Sequence, residues 1–423
     1  MTESAVHRAI DAVWRIESAK LIASLARMVG DVGQAEDLAH DALVAALEQW
    51  PASGVPANPG AWLMTTAKRR AIDGFRRTQR VVRTHEELGR ELDARQETTE
   101  RDIHAALDDD IGDDLLRLVF TTCHPVLSPD ARVALTLRLL GGLTTPEIAR
   151  AFLVPEATIA QRIVRAKRTL AAAHVGFEVP RADERPARLA SVLEVIYLIF
   201  NEGYVATGGD DWIRPELCDE ALRLGRILAE LMPQEGEVHG IVALMELQAS
   251  RSRARTGASG EPILLLDQDR ARWDHLLIGR GLEALARAQA LGSFGPYTLQ
   301  AGIAACHAQA RTAAETDWDR IVALYDALTE LVPSPVVQLN RAVALGMAFG
   351  PAAGLEATDA VADDPSLASY HLLPAVRADF LMKLGRFEEA RSALERAAAL
   401  TRNTRERALL LERAAACVND GAA

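Results

Sequence analysis

The sequence predicts an all-α protein in which two small helical domains precede a larger helical repeat domain. Its 423 residues are enough for two or three domains with apolar cores. A content of 49% hydrophobic and 25% charged residues is typical of globular proteins. Aromatic residues are scarce at 5%, and apolar residues recur at helical spacing along most of the chain, which favours helices packed through small side chains over sheets.

Charge and cysteine usage narrow the classes of function. The formal net charge of −12 excludes a protein that binds polyanions with its whole surface, so any nucleic-acid site must be a local basic patch. No apolar run is long enough to cross a bilayer and the N-terminus lacks a signal-peptide layout, so we expect a cytoplasmic protein without membrane contact. The cysteines Cys123, Cys218, Cys306 and Cys417 lack metal-ligand spacing, and we expect buried thiols, no metal and no cofactor.

The first fifty residues predict two helices. Val13, Ile16, Leu21, Ile22 and Leu25 mark the inner face of the first helix, which is interrupted at residues 30–33. The second helix covers residues 34–47 and carries Glu36, Asp37 and Asp41 near its beginning. These acids are either dipole-favoured capping residues or an acidic docking face, and the pattern leaves both open.

A basic helix follows a predicted loop at residues 51–60. Residues 61–77 place Trp62, Leu63, Ala67, Ile72 and Phe75 on one side and a concentrated basic surface on the other: Lys68, Arg69, Arg70, Arg76 and Arg77. Such a track in an acidic protein suits the backbone of single-stranded DNA. Trp62 is better explained as a core anchor than as a base-stacking platform.

Residues 139–170 predict a helix-turn-helix. Thr144 or Thr145 caps a short helix with Ile148, Ala149 and Phe152 inside, and Pro155 starts a second helix. The inner side of the second helix carries Ile159, Ile163, Val164, Ala166 and Leu170, and its outer side carries Thr158, Gln161, Arg162, Arg165, Lys167 and Arg168. Such a helix fits a DNA major groove, although an ordinary helical hairpin with a solvated charged face gives the same pattern.

These segments together resemble extracytoplasmic-function sigma factors over roughly the first 175 residues. Residues 36–43 resemble sigma region 2.2, residues 62–77 resemble regions 2.3 and 2.4, and residues 127–170 resemble region 4. The family often has Asn where this chain has Arg69, so the resemblance does not carry over a −10 base preference.

The resemblance implies binding to core RNA polymerase, at its β′ clamp and β flap, and to promoter DNA. It implies clamp contact by Glu36, Asp37, Leu38 and Asp41, and −10 contact by Trp62, Lys68, Arg69, Arg70, Asp73, Arg76 and Arg77. It implies −35 contact by Pro155, Glu156, Thr158, Gln161, Arg162, Arg165, Lys167 and Arg168.

The predicted domains are sigma region 2 at 1–83, an acidic linker at 84–112, sigma region 4 at 113–175 and a C-terminal domain at 186–423. Helix pairs are predicted at 297–313 with 318–331, 335–348 with 351–361, and 368–384 with 387–399. Their second helices recur about every 34–36 residues, the tetratricopeptide period. Stacked pairs of this kind leave a groove for a protein partner, so we expect the domain to regulate the modules before it.

Two other functions fit parts of the sequence. A dimeric helix-turn-helix regulator with a repeat-domain sensor would explain residues 139–170 and the tail. An enzyme or small-molecule binder would use the polar cluster of Asp267, Asp269, Asp274 and His275, but a capped loop-to-helix junction explains that cluster better. The isolated histidines His239, His275, His307 and His371 and the absence of nucleotide-binding motifs favour a protein that is not an enzyme.

Overall fold

The computed structural model describes residues 3–85, 111–152, 154–204, 214–257, 262–401 and 403–420, with the side chains of 3–5, 74–85, 111–113 and 418–420 excepted. Within these residues there are eighteen α-helices and no strand, so the all-α prediction is confirmed. The chain divides into two compact units, residues 1–196 and 197–423.

The N-terminal unit contains seven helices and the first part of an eighth. They are α1 Glu3–Val29, α2 Val32–Ser53, α3 Pro59–His85, α4 Ile111–Thr122, α5 Pro129–Leu139, α6 Thr145–Phe152, α7 Glu156–Ala172 and the beginning of α8 Arg185–Tyr204. The first three helices pack on one another as the first module, and α5, α6 and α7 form the second. Helix α1 also packs against α4 and α5, so the two modules are in contact.

The first module departs from the sequence prediction at two places. Ile16, predicted to face inward, is exposed, because the packed face of α1 is formed by Val6, Ile10, Leu21 and Ile22. Helix α2 continues through Pro51 to Ser53, which shortens the predicted loop to residues 54–58. Asp31, between the end of α1 and the start of α2, caps α2 because its Oδ1 accepts a hydrogen bond from the Gln34 amide at 2.8 Å.

The second module has the predicted pair of helices. The Thr144 amide donates to Glu147 Oε2 at 2.7 Å and the Glu147 amide donates to Thr144 Oγ1 at 3.4 Å, a reciprocal cap at the start of α6. Ile159, Ile163, Ala166 and Leu170 form the buried face of α7. Val164 was predicted to join them but is exposed, because it lies one residue off this three-and-four spacing.

The C-terminal unit is a succession of helix pairs. After α8 come α9 Pro215–Leu231, α10 Gly236–Ala249, α11 His275–Ala290, α12 Pro296–Gln309, α13 Trp318–Leu331, α14 Pro335–Phe349, α15 Pro351–Asp359, α16 Leu372–Lys383, α17 Phe387–Leu400 and α18 Thr404–Asp420. The three pairs predicted from the repeat are present as α12 with α13, α14 with α15, and α16 with α17. Helix α18, which packs on α17, was not predicted.

Small residues let these helices approach closely. Gly346 and Gly354 face each other between α14 and α15, and a Cβ at either position would come within 2.4 Å of the Phe380 ring. Phe380 is 2% exposed and belongs to the apolar core that also contains Ala390 and Leu394. Close packing of this kind makes the unit sensitive to volume changes at Phe380.

Four further expectations concern the whole chain. The cysteines are free and buried, as predicted. Among the described helices, none combines the length and apolar character that a bilayer crossing requires. The predicted linker at 84–112 lies almost entirely outside the described residues. The boundary between the compact units falls after Ile196, so the beginning of α8 packs with the N-terminal unit, where Arg188 donates to the Phe120 carbonyl at 2.8 Å.

Candidate nucleic-acid interface

Helix α3 presents the basic surface predicted from the sequence. Arg69 and Asp73 are exposed, Lys68 and Arg70 are half-buried, and Leu63, Ala67 and Ala71 lie underneath. The side chains of Arg76 and Arg77 lie outside the described residues. The described part of α3 therefore combines an apolar face with a cationic one, as the sequence pattern requires.

Trp62 packs at the beginning of α3. Its ring meets the buried Trp50 ring edge to face, with the ring centroids 5.3 Å apart. The ring is half-buried and joins α3 to α2, so the core-anchor interpretation of Trp62 fits its surroundings.

Helix α7 exposes most of the residues predicted to contact the −35 element. Pro155, Glu156, Gln161, Arg165 and Arg168 are exposed, and Thr158 is half-buried. Arg162 pairs with Asp130 of α5 at 3.0 Å. The beginning and middle of this helix are accessible to a nucleic acid, whereas Lys167 near its end is engaged elsewhere in the protein.

Lys167 belongs to an ionic cluster between the two modules, which we call the Glu36 cluster and define as Glu36, His40, Arg138 and Lys167. Arg138 Nε donates to Glu36 Oε1 at 2.6 Å, and Lys167 forms an ion pair with Glu36 Oε2. Arg138 also donates to His40 Nε2 at 2.7 Å, while His40 Nδ1 donates to the Glu36 carbonyl at 2.9 Å. Glu36 is 4% exposed, so its carboxylate is enclosed by cations of α5 and α7.

The two cations decide the charge state of Glu36. Burial raises the pKa of a carboxyl group because it penalises the ionised form. The attraction of Lys167 and Arg138 and their hydrogen bonds outweigh this penalty, so the pKa of Glu36 lies below its ordinary value of 4.5. Glu36 is therefore ionised at neutral pH, and its charge is satisfied within the protein.

The rest of the predicted docking face remains accessible. Asp37 and Asp41 are exposed and Leu38 is half-buried, whereas Glu36 is not available at the surface. The sequence contained a signal for this difference, because Glu36 lies on the same helical stripe as the buried Val32 and Ala39. Asp41 pairs with Arg70 of α3 at 3.4 Å and so connects the predicted docking face to the basic track.

Two more ion pairs connect α1 of the first module to helices α4 and α6. Arg15 of α1 pairs with Glu147 of α6 at 2.9 Å, and Arg27 of α1 pairs with Asp114 of α4 at 3.2 Å. Arg15 is largely exposed, whereas Asp114 is buried. These contacts, like the role of Arg138, could not be read from the sequence, because nothing in a single helix indicates its partner across modules.

The polar cluster at the beginning of α11 caps helices. Asp269 accepts a hydrogen bond from the Ala271 amide at 3.0 Å, and Asp274 accepts from the Leu276 and Leu277 amides at 3.0 and 3.1 Å. His275 is exposed. In the part of the chain that the structure describes, no group of three or more His, Cys, Asp or Glu residues has the geometry to hold a metal ion.

Comparison with known proteins relates each part of the chain to a different family model. Residues 16–81 match Sigma-70 region 2, residues 117–170 match Sigma-70 region 4, and residues 188–289 match a family of unknown function (DUF6596). The first two matches fall on the modules that carry the basic track and the helix-turn-helix. The third begins in α8, before the boundary after Ile196, and covers the beginning of the C-terminal unit.

The relatives of this chain among curated proteins include an uncharacterized protein and two sigma factors. An uncharacterized protein of Rhizobium meliloti is 43% identical over 388 residues, which covers 92% of this chain and 90% of the relative. The ECF RNA polymerase sigma factor SigL of Mycobacterium tuberculosis is 30% identical over 147 residues, or 34% of this chain and 76% of the relative. The probable ECF RNA polymerase sigma factor SigI of the same species is 27% identical over 186 residues, or 42% and 60%.

Proposed function

We propose that this chain, which belongs to the extracytoplasmic-function (ECF) family of RNA polymerase sigma factors, is closed in its free form. In the closed form, region 2 and region 4 are held together through the Glu36 cluster. The protein is an alternative sigma factor that binds core RNA polymerase and promoter DNA and directs transcription initiation. The family is not a family of enzymes. The proposals below concern the residues and the regulation.

We assign the −10 element to α3 and the −35 element to α7. Lys68, Arg69 and Arg70 would follow the backbone of the opened strand, with Asp73, Arg76 and Arg77 further along the same helix. Thr158, Gln161 and Arg165 would face base edges, while Arg162 and Arg168 would contact phosphates. Pro155 and Glu156 would set the approach of α7 to the groove.

Core polymerase would dock on the beginning of α2, at Asp37, Leu38 and Asp41. Glu36 belongs to the same stretch and would complete this face only after Arg138 and Lys167 release it. Lys167 would in turn become available to a DNA phosphate. One carboxylate and one ammonium group, each assigned to a different macromolecule, therefore neutralise each other in the closed form.

This mutual neutralisation is the observation that carries the proposal. A protein that presents α2 to the polymerase and α7 to DNA at the same time must separate Glu36 from Lys167. The cost of exposing the ion cluster would be offset by the new contacts with polymerase and DNA. Closure would thus hold the free protein away from promoters until core polymerase is bound.

For the C-terminal unit we propose a regulatory role with a protein partner. The second helices of its pairs begin at Trp318, Pro351 and Phe387, which is close to the tetratricopeptide period. Stacked helix pairs bury one face and commonly use the other for partners, which supports a tetratricopeptide-like binding domain.

The closed form can be tested by measuring the separation of α2 and α7. Cysteines placed at the exposed Val44 and Val164 would carry fluorophores, while the buried native thiols stay unlabelled. We expect efficient energy transfer in the free protein and a clear loss when core polymerase is added. An unchanged transfer signal in a complex shown to be formed would reject closure.

The regulatory role can be tested by run-off transcription with purified core polymerase. The template carries the protein's own upstream region, and the full chain is compared with residues 1–196, which retain the part of α8 that packs on region 4. A change in transcript yield gives the sign of the tail's effect, and equal yields would contradict regulation by the tail. Operator binding without core polymerase would favour the dimeric regulator instead.

A further inference from the structure

The C-terminal unit contains a concentration of positive charge between α10 and α11. We define the arginine cluster as Arg251, Arg255 and Arg270, which surround the rings of Tyr204 and Trp273. The guanidinium carbon of Arg255 lies 3.6 Å from the Tyr204 ring centroid, and that of Arg270 lies 4.7 Å from the Trp273 ring centroid. Arg251 lies between them, 5.9 Å from Tyr204 and 5.8 Å from Trp273.

Neutral acceptors hold two of these arginines in place. Arg251 donates to the Tyr204 hydroxyl at 2.6 Å and to the Gln248 side chain. Arg270 donates to the Ala310 carbonyl at 2.9 Å and to the His307 carbonyl. Among the described residues, no carboxylate lies within ion-pair distance of Arg251 or Arg270, and the exposed Glu315 acts on Arg270 only from further away.

The positive charges of the arginines repel one another, which disfavours their charged forms. Arg255 is 6% exposed, and burial is the main cause of its lowered pKa. The Tyr204 side chain opposes this shift, and the charge of Arg251 adds to it by a smaller amount. Burial and Arg251 lower the pKa of Arg270 in the same way. Like charges that stay together in a partly buried place are stabilised when an anion joins them.

Two other polar groups of this region, unlike the arginines, have no hydrogen-bond partner within the described residues. Trp273 Nε1 and His307 Nδ1 are buried without a hydrogen bond, and His307 is 9% exposed. Burial and the charges of Arg251 and Arg270 lower the pKa of His307 to about 4, so its ring is neutral at pH 7. The indole nitrogen is a donor, and a neutral imidazole nitrogen can also donate.

The arginines of this region supply positive charge, and the Trp273 indole supplies a buried hydrogen-bond donor that has no partner among the described residues. A ligand that matches such a site accepts hydrogen bonds and carries negative charge, and guanidinium groups bind phosphate oxygens in pairs. The half-buried positions of Arg251 and Arg270 favour a compact anionic group on a small molecule over the backbone of a long nucleic acid.

We propose that the arginine cluster is a binding site for a phosphate-bearing small molecule. Tyr204, Trp273 and the three arginines all fall within residues 188–289, the stretch that matches a family of unknown function. The site would give this domain a ligand. It requires neither polymerase nor DNA, so it can be tested independently of the closed form proposed above.

The test is calorimetric titration of the full chain with inorganic pyrophosphate and orthophosphate against chloride at equal ionic strength. We expect saturable binding to one site by either phosphate and a melting temperature raised by about 5 °C near saturation. Acetate distinguishes a phosphate site from a general carboxylate site. No saturable heat with either phosphate in the wild-type protein overturns the proposal without any variant.

The variants are Arg251→Gln and Arg270→Gln, with Arg253→Gln and Arg272→Gln as matched controls. The control arginines are exposed and lie in the same two short segments. We expect each test variant to weaken phosphate binding at least tenfold and each control to change it less than twofold. An equal loss in tests and controls, or displacement of phosphate by a single-stranded oligonucleotide, would identify nonspecific electrostatic binding and overturn the proposal.

Discussion

The two compact units join their helices by different means. In the N-terminal unit, charged side chains connect helices that are distant in sequence, as in the pair of Glu36 with Arg138, which are 102 residues apart. In the C-terminal unit, most helices pack on a neighbour in sequence, although α12 packs more extensively on α10 than on α11, and small apolar residues such as Gly346, Gly354 and Ala390 lie in these contacts. Under the proposed closed form, the first kind of contact would be exchanged for contacts with a partner, whereas the second makes a continuous scaffold.

The largest expected effect on stability comes from a substitution that disrupts the helix packing of the C-terminal unit. Phe380→Ala removes a ring packed on Gly346 and Gly354 and should lower the free energy of unfolding of the C-terminal unit by about 3–5 kcal/mol. Phe349→Ala is the matched control because Phe349 is 63% exposed, and it should cost less than about 0.5 kcal/mol. Urea unfolding followed by circular dichroism measures both, and similar losses in the two variants would contradict the packing argument.

The next largest effect comes from removing the ion pair between Arg138 and Glu36. Arg138→Gln leaves the buried Glu36 with one cation fewer and should lower the stability of the N-terminal unit by about 2–3 kcal/mol. It should also reduce energy transfer between labels at positions 44 and 164 in the free protein. Arg162→Gln removes the Arg162–Asp130 pair within region 4 and should leave the transfer signal unchanged. Equal signals in both variants would argue against the Glu36 cluster as the closing contact.

Acid should weaken closure by a smaller amount. The pKa of Glu36 is lowered by Lys167 and Arg138 despite burial, so its contribution is fully present above 4.5 and is lost as the pH falls through the lowered value. Glu147, whose pKa is also lowered, lies at the same boundary. Comparing wild type with Glu36→Gln between pH 7 and pH 3 isolates Glu36, and identical pH profiles would contradict its role.

The smallest effect concerns the exposed pair between the modules. Arg15→Gln removes the contact with Glu147, but solvent screens this pair because Arg15 is largely exposed. We expect a loss below about 0.5 kcal/mol and no measurable change in energy transfer. A loss as large as that of Arg138→Gln would show that burial does not distinguish the two contacts.

The sequence predicted local structure better than it predicted contacts between modules. The cap formed by Thr144 and Glu147 and the three C-terminal helix pairs follow from spacing and capping residues, which act within a few residues of each other. Ile16 and Val164 were misplaced because apolar character alone does not fix the angular position of a residue on its helix. Glu36 was expected at the surface because its partners, Arg138 and Lys167, come from helices more than a hundred residues away in the chain.

The basic track shows the same limit. Lys68, Arg69 and Arg70 could be found from a local reversal of charge in an acidic chain, and they lie on one helix as expected. The arginine cluster could not be found in this way, because Tyr204, Arg251 and Arg270 come from separate elements. Trp273, which follows Arg270 and Arg272 closely in the chain, is the signal that a sequence search could have used.

The position of Lys167 also has a consequence for the thermodynamics of DNA binding. In the closed form a carboxylate of the protein is the counterion of this ammonium group, a place that a DNA phosphate would otherwise take. Each phosphate that a cation neutralises releases condensed salt ions and makes the slope of log affinity against log salt more negative by about 0.9. If Lys167 contacts a DNA phosphate as proposed, the closed sigma factor would gain one fewer ion-release event on bulk chromosomal DNA, which would lower its nonspecific adsorption and leave more of it in solution for core polymerase to capture.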